Sequence, residues 1–142
     1  MDNQCGSITR VTYAPLTRYY LADANRPEAH WQTTLPLPVQ VVARSESIDV
    51  SSGNKHVTEY SYHHGYWDGV KREFRGFGRV DQRDTNDFAA YNTPGAMGFT
   101  AVPSQFFSPP TETRTWFHQG PIGDATGDWS EADFSGEFEG RR

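Results

Sequence analysis

The sequence predicts an all-β fold in which long strands form a mainly antiparallel sheet, joined by long loops rich in glycine and proline. Between residues 39 and 84, apolar and polar side chains alternate in three runs separated by turn residues, which is typical of paired strands. Aromatic residues make up 14% of the chain although hydrophobic residues reach only 35%, so rings must supply much of the buried surface. Thirteen glycines and nine prolines provide the turns that such a sheet needs.

The first 39 residues contain one predicted strand and little other regular structure. Residues 7–14, SITRVTYA, form that strand, which Pro15 ends. Residues 16–24, LTRYYLADA, are compatible with one short helical turn. Residues 35–39, LPLPV, are predicted to be extended, because a residue before a proline is pushed out of the helical region.

A three-stranded meander at residues 39–84 is the centre of the predicted fold. Its strands are predicted at 39–50, 55–64 and 72–84, and its turns at 51–54 and Asp68-Gly69. A further strand is predicted at 111–118, after a long loop at 89–110. Residues 119–142 are acidic, lack a clear period and are predicted to be a loop-like or disordered tail. We expect residues 1–142 to form a single β domain or a fragment of a larger protein.

Charge, hydropathy and short motifs argue against several classes of partner and against a bound cofactor. The net charge of −5 argues against a nucleic-acid partner, and no apolar run approaches the length of a membrane-spanning helix, so we expect no membrane insertion by this segment. The first ten residues lack the charged and apolar regions of a secretory signal peptide. The single cysteine, Cys5, excludes an intrachain disulfide. Residues 75–79, RGFGR, lie inside a predicted strand and do not open a helix, so they do not predict a phosphate loop, and we expect no cofactor.

The glycines of the third meander strand face tyrosines of the second strand if the turn centres on Gly69. In that register Tyr62 lies opposite Gly76, and Tyr60 lies opposite Gly78. A ring that covers a glycine on the neighbouring strand compensates for its missing side chain. We therefore predict a structural framework made up of Tyr60, Tyr62, His64, Phe74, Gly76, Phe77 and Gly78.

The opposite face of the third strand alternates in charge. Arg75, Arg79 and Arg83 share this face with Asp81. The simpler interpretation is a solvated face with weak ion pairs. The alternative is a docking surface for another sheet or partner, with Glu73, Arg75 and Arg79 as its contacts.

The adjacent histidines His63 and His64 are the most prominent candidates for chemistry. In a regular strand they point to opposite faces and cannot share one metal ion, and the other possible ligands follow no zinc spacing. An acid–base pair of His64 with Asp68 or Glu73 is possible around the turn, but no nucleophile motif accompanies it. We therefore predict no catalytic, cofactor or metal site. A hydrolase built on His63, His64 and Glu73 remains a minor alternative.

The tryptophans suggest a second function class. Aromatic rings on β scaffolds can stack on sugars, although packing in the core is the commoner use of such rings. The alternative to a structural role is therefore a carbohydrate- or protein-binding β module. Its candidate contacts are Trp31, Trp67, Trp116 and Trp129.

Three segments carry long and unusual motifs: LPLPVQVV at 35–42, VTEYSYHHGYWDGVKREFRGFGRVDQRDT at 57–85 and TRTWFHQGPIG at 113–123. Together they resemble the middle region of the B component of bacterial insecticidal toxin complexes, and that of the related SpvB-type and RHS-repeat toxins. The family pattern runs close to LPFPVQVV, YxYHHGYFDGxEREFRGFGxVEQxDT and TWFHTG. This sequence departs from it at four positions. Leu37 and Trp67 replace phenylalanine, Lys71 replaces an acidic residue, and Gln119 replaces threonine.

The resemblance implies a structural part of a toxin rather than an enzyme. In such toxins this region follows a β-propeller and leads into a sheet of RHS repeats, which winds into a hollow shell around the toxic polypeptide of the C component. The toxic and self-cleaving activities lie elsewhere, and no catalytic residue of the family maps onto this chain.

The resemblance also implies partners and a location. The partners are the C component, the remaining RHS shell and neighbouring toxin domains, and the location is secreted or extracellular, within a virulence complex. A segment cut from such a shell exposes edge strands, so we also expect self-association through them.

Overall fold

The computed structural model describes residues 1–51, 55–84, 110–122 and 130–139, with the backbone alone described for 138–139. Its regular elements are β1 (Ser7–Pro15), α1 (Thr17–Ala24), a 3-10 turn (Pro27–Ala29), β2 (Gln40–Asp49), β3 (Lys55–Asp68), β4 (Glu73–Asp84), β5 (Thr111–Trp116) and α2 (Ser135–Glu139). The five strands are hydrogen-bonded in chain order, β1-β2-β3-β4-β5, in a mostly antiparallel, open sheet. The predicted all-β class is therefore confirmed.

The predicted strands agree with the observed ones except around the second turn of the meander. β1, β2, β4 and β5 match their predicted ranges closely, whereas β3 continues beyond His64 to Asp68. The turn therefore occupies residues 69–72 instead of centring on Gly69. The Asp68 carboxylate stabilises it, because Oδ1 accepts hydrogen bonds from the backbone N–H groups of Val70 and Lys71 at 2.9 and 3.0 Å. The predicted loop at 89–110 lies, apart from Pro110, outside the described residues.

The chain divides into two compact units. The first contains Met1–Ala14, Val41–Tyr60 and Asp81–Thr113, and the second contains Pro15–Gln40, Ser61–Val80 and Arg114–Arg142. Strands β3 and β4 therefore contribute residues to both units.

The first unit is organised around the antiparallel pair of β2 and β3, in which Arg44 lies opposite Glu59 and Ile48 opposite Lys55. Among its described residues, the buried apolar side chains are Ala14, Val41, Ile48 and Val57. Glu46 is also buried, and it pairs with Arg44 at 2.9 Å and with Lys55 at 3.4 Å. Burial alone would raise the pKa of Glu46, but its hydrogen bonds and charge interactions with Arg44 and Lys55 outweigh burial and lower it. Glu46 is therefore a buried carboxylate that stays ionised.

The second unit packs helix α1 against the strands through aromatic rings. The ring of Tyr62 contacts Tyr19 at a centroid distance of 5.7 Å and Phe77 at 4.8 Å. Phe77 in turn contacts Phe74 at 5.6 Å with an edge-to-face geometry. Such pairs contribute about 0.5–1.5 kcal/mol each beyond the burial of their surface. Tyr62, Phe74 and Phe77 therefore pack in one line of rings, although the predicted alternation placed Phe74 and Phe77 on opposite faces of the strand.

The regular alternation of side chains is interrupted in both central strands of the second unit. His64 in β3 has φ 56° and Gly76 in β4 has φ 76°, both in the left-handed region. Phe74 and Phe77 are three residues apart, so strict alternation would place their rings on opposite faces of the sheet. Their contact shows that the left-handed Gly76 changes the direction of the strand, as residues in β-bulges do.

The predicted covering of the two glycines by tyrosine rings is wrong. Among the described residues, a Cβ added to Gly76 would have no heavy atom within 4 Å, apart from Gly76 itself and its two chain neighbours. A Cβ added to Gly78 would lie 2.5 Å from Cζ of Phe134 and 2.9 Å from Cβ of His64, so Gly78 is covered by Phe134 and not by Tyr60. The prediction failed because it assumed an unbroken register through Gly76.

Gly76 should therefore be required for its backbone conformation. We expect Gly76→Ala to lower the free energy of unfolding by about 1–2 kcal/mol, the cost of a left-handed L-residue. Gly69→Ala is the matched control, because Gly69 also has open space at its Cβ but no positive φ. Urea unfolding of both variants, followed by far-UV circular dichroism, measures the difference. Equal effects at the two positions would contradict the backbone explanation.

Candidate functional site

The second unit contains a cluster of polar side chains centred on the Glu137 carboxylate in α2. Oε1 of Glu137 accepts a hydrogen bond from Nε2 of His64 in β3 at 2.7 Å. Oε2 accepts one from Nη1 of Arg79 in β4 at 2.8 Å and one from the indole Nε1 of Trp116 in β5 at 2.9 Å. Three strands therefore direct one donor each at a single carboxylate.

His64 is held in one neutral tautomer. The backbone N–H of Gln32 donates to Nδ1 of His64 at 3.1 Å, so the ring hydrogen must lie on Nε2, which faces Glu137. The side chain of His64 is only 2% exposed. Burial lowers the pKa of His64, and the nearby Glu137 carboxylate opposes burial without reversing the shift. His64 is therefore a neutral donor to Glu137 near neutral pH.

Two carboxylates of this unit, Glu137 and Asp23, stay ionised because donors surround them. Burial alone would raise the pKa of Glu137, but hydrogen bonds from Trp116, His64 and Arg79 outweigh it and lower the pKa. Asp23 behaves similarly: burial would raise its pKa, whereas hydrogen bonds from His63 and Trp31 lower it. Both donors of Asp23 reach Oδ2, at 2.5 Å from Nδ1 of His63 and 2.7 Å from Nε1 of Trp31.

Arg75 holds the turn between β3 and β4. Its Nη2 lies 2.6 Å from Oδ2 of Asp68, and its Nη1 donates to the backbone carbonyl of Pro121 at 3.1 Å. The guanidinium also lies over the ring of Tyr66, with 5.8 Å between the guanidinium carbon and the ring centroid. The pKa of Asp68 is lowered, first by the backbone N–H of Lys71 and further by Arg75, so this pair is ionic.

The structure changes the interpretation of two of the three predicted docking residues, Arg75 and Arg79. The side chains of Arg75 and Arg79 are only 12% and 13% exposed, and both are engaged within the second unit. They are therefore not free contacts on a solvated face, because the left-handed Gly76 between them breaks the predicted alternation. Glu73 is exposed at the start of β4, so its predicted role as a docking contact stays a prediction.

Gln119 is a structural residue that the sequence interpretation missed. Its side-chain Nε2 donates to the backbone carbonyl of His64 at 2.7 Å and to that of Gly76 at 3.2 Å. His64 and Gly76 are the residues of β3 and β4 that have a left-handed backbone conformation. The Gln119 side-chain amide therefore joins the two strands where their regular alternation is interrupted. A threonine hydroxyl, which the family pattern has at this position, has only one hydrogen to donate. The sequence signalled this role of Gln119 by its departure from the family pattern, which has threonine at this position.

The segment 130–139, named here the strap, packs on the strands of the second unit. The Phe134 ring lies 4.8 Å from the His64 ring and covers Gly78. Asp133 exchanges two hydrogen bonds with the Gln32 side chain: its N–H donates to Oε1 at 3.0 Å, and its carbonyl accepts from Nε2. The predicted loop-like tail therefore contains a short helix, α2, and an ordered approach to it.

The candidate residues for chemistry are separated or already engaged. His64 contacts neither of its predicted acid–base partners, since Asp68 holds the turn and Glu73 is exposed at the start of β4. In residues 1–51, 55–84, 110–122 and 130–139, no three side chains of His, Cys, Asp or Glu lie close enough to hold a metal ion. No helix in these ranges is long and apolar enough to cross a membrane.

The described tryptophans also take part in the fold. The indole N–H groups of Trp31 and Trp116 donate to Asp23 and Glu137. The backbone N–H of Trp67 donates to the carbonyl of Thr34 at 3.0 Å, and its side chain is half-buried. Trp129 lies outside the described residues.

The chain is similar to proteins of toxin complexes. Residues 1–94 match the family described as the insecticide toxin TcdB middle/N-terminal region. A mutant of the Photorhabdus luminescens Tc holotoxin pore is similar, with 32% identity and a TM-score of 0.65 over 91% of this chain and 6% of that chain. The crystal structure of TcdB2-TccC3-Cdc42 is also similar, with 32% identity and a TM-score of 0.63 over 84% of this chain and 5% of that chain.

The fold and these matches relate the chain to proteins of toxin complexes. The chain belongs to the family of the insecticide toxin TcdB middle/N-terminal region. It spans only about one-twentieth of the length of the solved chains that it matches. The search of curated proteins found no match.

Gly78 provides a test of how closely the strap packs. We expect Gly78→Ala to displace Phe134 and to destabilise the chain by about 1–3 kcal/mol, because the new methyl group would overlap both Phe134 and His64. The double variant Gly78→Ala/Phe134→Ala should recover part of the loss, since it removes one of the two clashes. A double-mutant cycle from urea unfolding measures this coupling. Strictly additive effects would show that Phe134 does not lie over Gly78.

His64 provides a pH-dependent test. Its pKa in the folded chain is below the ordinary value of 6.5, so the unfolded chain takes up the proton first as the pH falls. Stability should therefore be complete above pH 6.5 and should decline below it, by at most about 1.4 kcal/mol per pH unit for one proton.

Unfolding free energies measured between pH 8 and pH 5 check this expectation. The variant His64→Asn should show a smaller slope, and asparagine tolerates the positive φ at this position. The lowered pKa values of Asp23, Asp68 and Glu137 keep these carboxylates ionised across the whole range. An equal slope in wild type and variant would show that His64 titrates as it does in the unfolded chain.

Proposed function

We propose that the chain is a non-catalytic structural segment of a toxin B component, which leads into the RHS-type β-shell that encloses the toxic polypeptide of a C component. The observation that carries this proposal is the match to Tc toxin structures over 84–91% of the chain at 32% identity. Those structures contain TccC3 together with TcdB2 or within a holotoxin pore. The partners proposed for this chain are accordingly a C component and the rest of the B component, in a secreted complex.

The use of the buried polar groups supports a structural role. Catalysis needs an acid, base or nucleophile with free capacity for a substrate. Here His64 uses both ring nitrogens within the fold, one for Gln32 and one for Glu137. Glu137 accepts three hydrogen bonds, and Asp68 holds both a turn and an arginine. These groups therefore stabilise the packing of the strands.

The proposal can be tested in a complete toxin. The segment of TcdB2 that matches this chain would be replaced by the present sequence, and the chimera would be produced together with TccC3. We expect the chimera to assemble with TccC3 and to protect the enclosed polypeptide from added protease. Unmodified TcdB2-TccC3 serves as the reference for both measurements.

Two substitutions in the chimera separate a structural from a catalytic role. We expect Gly78→Val to abolish protection, because it disrupts the strand and the packing of Phe134. Glu73→Gln, at the exposed end of β4, should leave assembly, protection and toxicity unchanged. A Glu73→Gln chimera that assembles and protects normally but has lost toxicity would contradict the non-catalytic proposal. Failure of the parent chimera to protect the polypeptide would contradict the role in the shell.

A further inference from the structure

We propose that His64 is an acid-sensitive switch, in which uptake of a proton at Nδ1 breaks the hydrogen bond from the backbone of Gln32 and opens the chain locally at that residue. In the neutral state the backbone N–H of Gln32 donates to Nδ1 of His64 at 3.1 Å, and this bond is named here the switch contact. On the other side of the ring, Nε2 donates to Glu137 at 2.7 Å. Such a switch is independent of the proposed place of the chain in a toxin shell.

The two ring nitrogens of His64 respond differently to a proton. An imidazolium ring carries a hydrogen on both nitrogens, so neither of them can accept a hydrogen bond. The backbone N–H of Gln32 is a donor in every state, and turning the ring over only brings the other N–H of the ring against it. The contact with Glu137 is kept, because Nε2 still donates and now carries positive charge beside the carboxylate. Protonation therefore breaks one contact of the ring and strengthens the other.

Burial and the charged groups around His64 set the pH range in which the switch acts. The side chain is only 2% exposed, and burial lowers the pKa of His64. Glu137 of α2 raises that pKa, whereas the neighbouring His63 and Arg79 of β4 lower it. His63 in turn lies against the carboxylate of Asp23 in α1. The net direction is downward, so we expect the transition on the acid side of pH 6.5.

Residues 32–34 lie beside β3 and bond to it at successive positions. Besides the switch contact, the Thr33 hydroxyl donates to the backbone carbonyl of Gly65 at 2.9 Å. The backbone N–H of Trp67 donates to the carbonyl of Thr34 at 3.0 Å. Neither of these two bonds involves a group that titrates between pH 4.5 and pH 8. Acid should therefore open the segment at the switch contact and leave it attached through Thr33 and Thr34.

Gln32 links the switch contact to the strap. Its side chain exchanges two hydrogen bonds with the backbone of Asp133, one of them from the Asp133 N–H at 3.0 Å. A change in the Gln32 backbone alters where that side chain lies, so the Asp133 amide should respond to the same protonation. The strap itself keeps its bond to His64 through Glu137 in both states.

The experiment follows the full chain by NMR between about pH 8 and pH 4.5, on both sides of the ordinary histidine pKa. The ring signals of His64 report its protonation, and hydrogen exchange of the Gln32 amide, corrected for the intrinsic pH dependence of exchange, reports local opening. We expect the protection of Gln32 to fall at least about tenfold as the ring titrates, with one common midpoint below pH 6.5. The Trp67 amide should keep its protection over the same range, because the chain stays folded.

Substitutions separate the switch from a general effect of acid. His64→Asn should remove the transition at Gln32, because asparagine tolerates the positive φ, offers an oxygen as acceptor and does not titrate. His56→Asn is the matched control, since His56 also lies in β3 but is exposed, and it should leave the transition unchanged. In Glu137→Gln the midpoint should move to lower pH, because the carboxylate that favours the charged ring is gone.

A His64 ring that stays neutral over the whole pH range, or Gln32 protection that is unchanged while the ring titrates, overturns the proposal. A transition at Gln32 that persists in His64→Asn also overturns it, as does a simultaneous loss of protection at Trp67, which would mean global unfolding. If His64→Asn does not fold, the agreement or disagreement of the two midpoints in wild type decides. None of these measurements involves a toxin partner, so the switch and the proposed function can fail separately.

Discussion

The Glu137 carboxylate is the point on which the second unit depends, because it draws donors from three strands to one position. Taking a carboxylate out of water is costly, and the cost is recovered only when several donors surround it with good geometry. His64, Arg79 and Trp116 supply that geometry at 2.7–2.9 Å. Removing one partner from such a buried group typically costs about 3–5 kcal/mol, so the cluster holds the end of the described chain firmly in one place.

Other carboxylates in the chain are also held by nearby donors. Asp23 accepts hydrogen bonds from His63 and Trp31, Asp68 is paired with Arg75, and Glu46 is paired with Arg44. The apolar content of the chain is low. Ion pairs and hydrogen bonds of these ionised groups therefore hold together segments that a larger apolar core holds together in other domains. The proposed structural role would benefit from such ion pairs and hydrogen bonds, because they fix the positions of strands without requiring a thick core. This is the physical link between the composition of the chain and its proposed structural role.

Two irregular positions give the central strands their local shape. His64 and Gly76 both have positive φ, and the Gln119 side chain bridges their carbonyl groups. A residue in the left-handed region redirects the strand and leaves part of the hydrogen-bond ladder unpaired. The Gln119 amide satisfies two of these carbonyls, which explains why a long amide side chain is useful at a position where threonine is the family pattern. The irregularity also places His64, Arg79 and Gly78 around the strap.

Local pattern alone determined the strands, because alternation and turn residues are properties of short stretches. The meander at 39–84, the strand near 111–118 and the all-β class were all predictable for this reason, and the long motif at 57–85 was enough to indicate the family. Contacts between residues that lie far apart in the sequence could not be predicted from local pattern. The contact between Glu137 and His64 spans 73 positions, and that between Gln32 and Asp133 spans 101. The left-handed conformations of His64 and Gly76 are stabilised by such contacts, so only the tertiary structure decided which face each side chain takes and which residue covers Gly78.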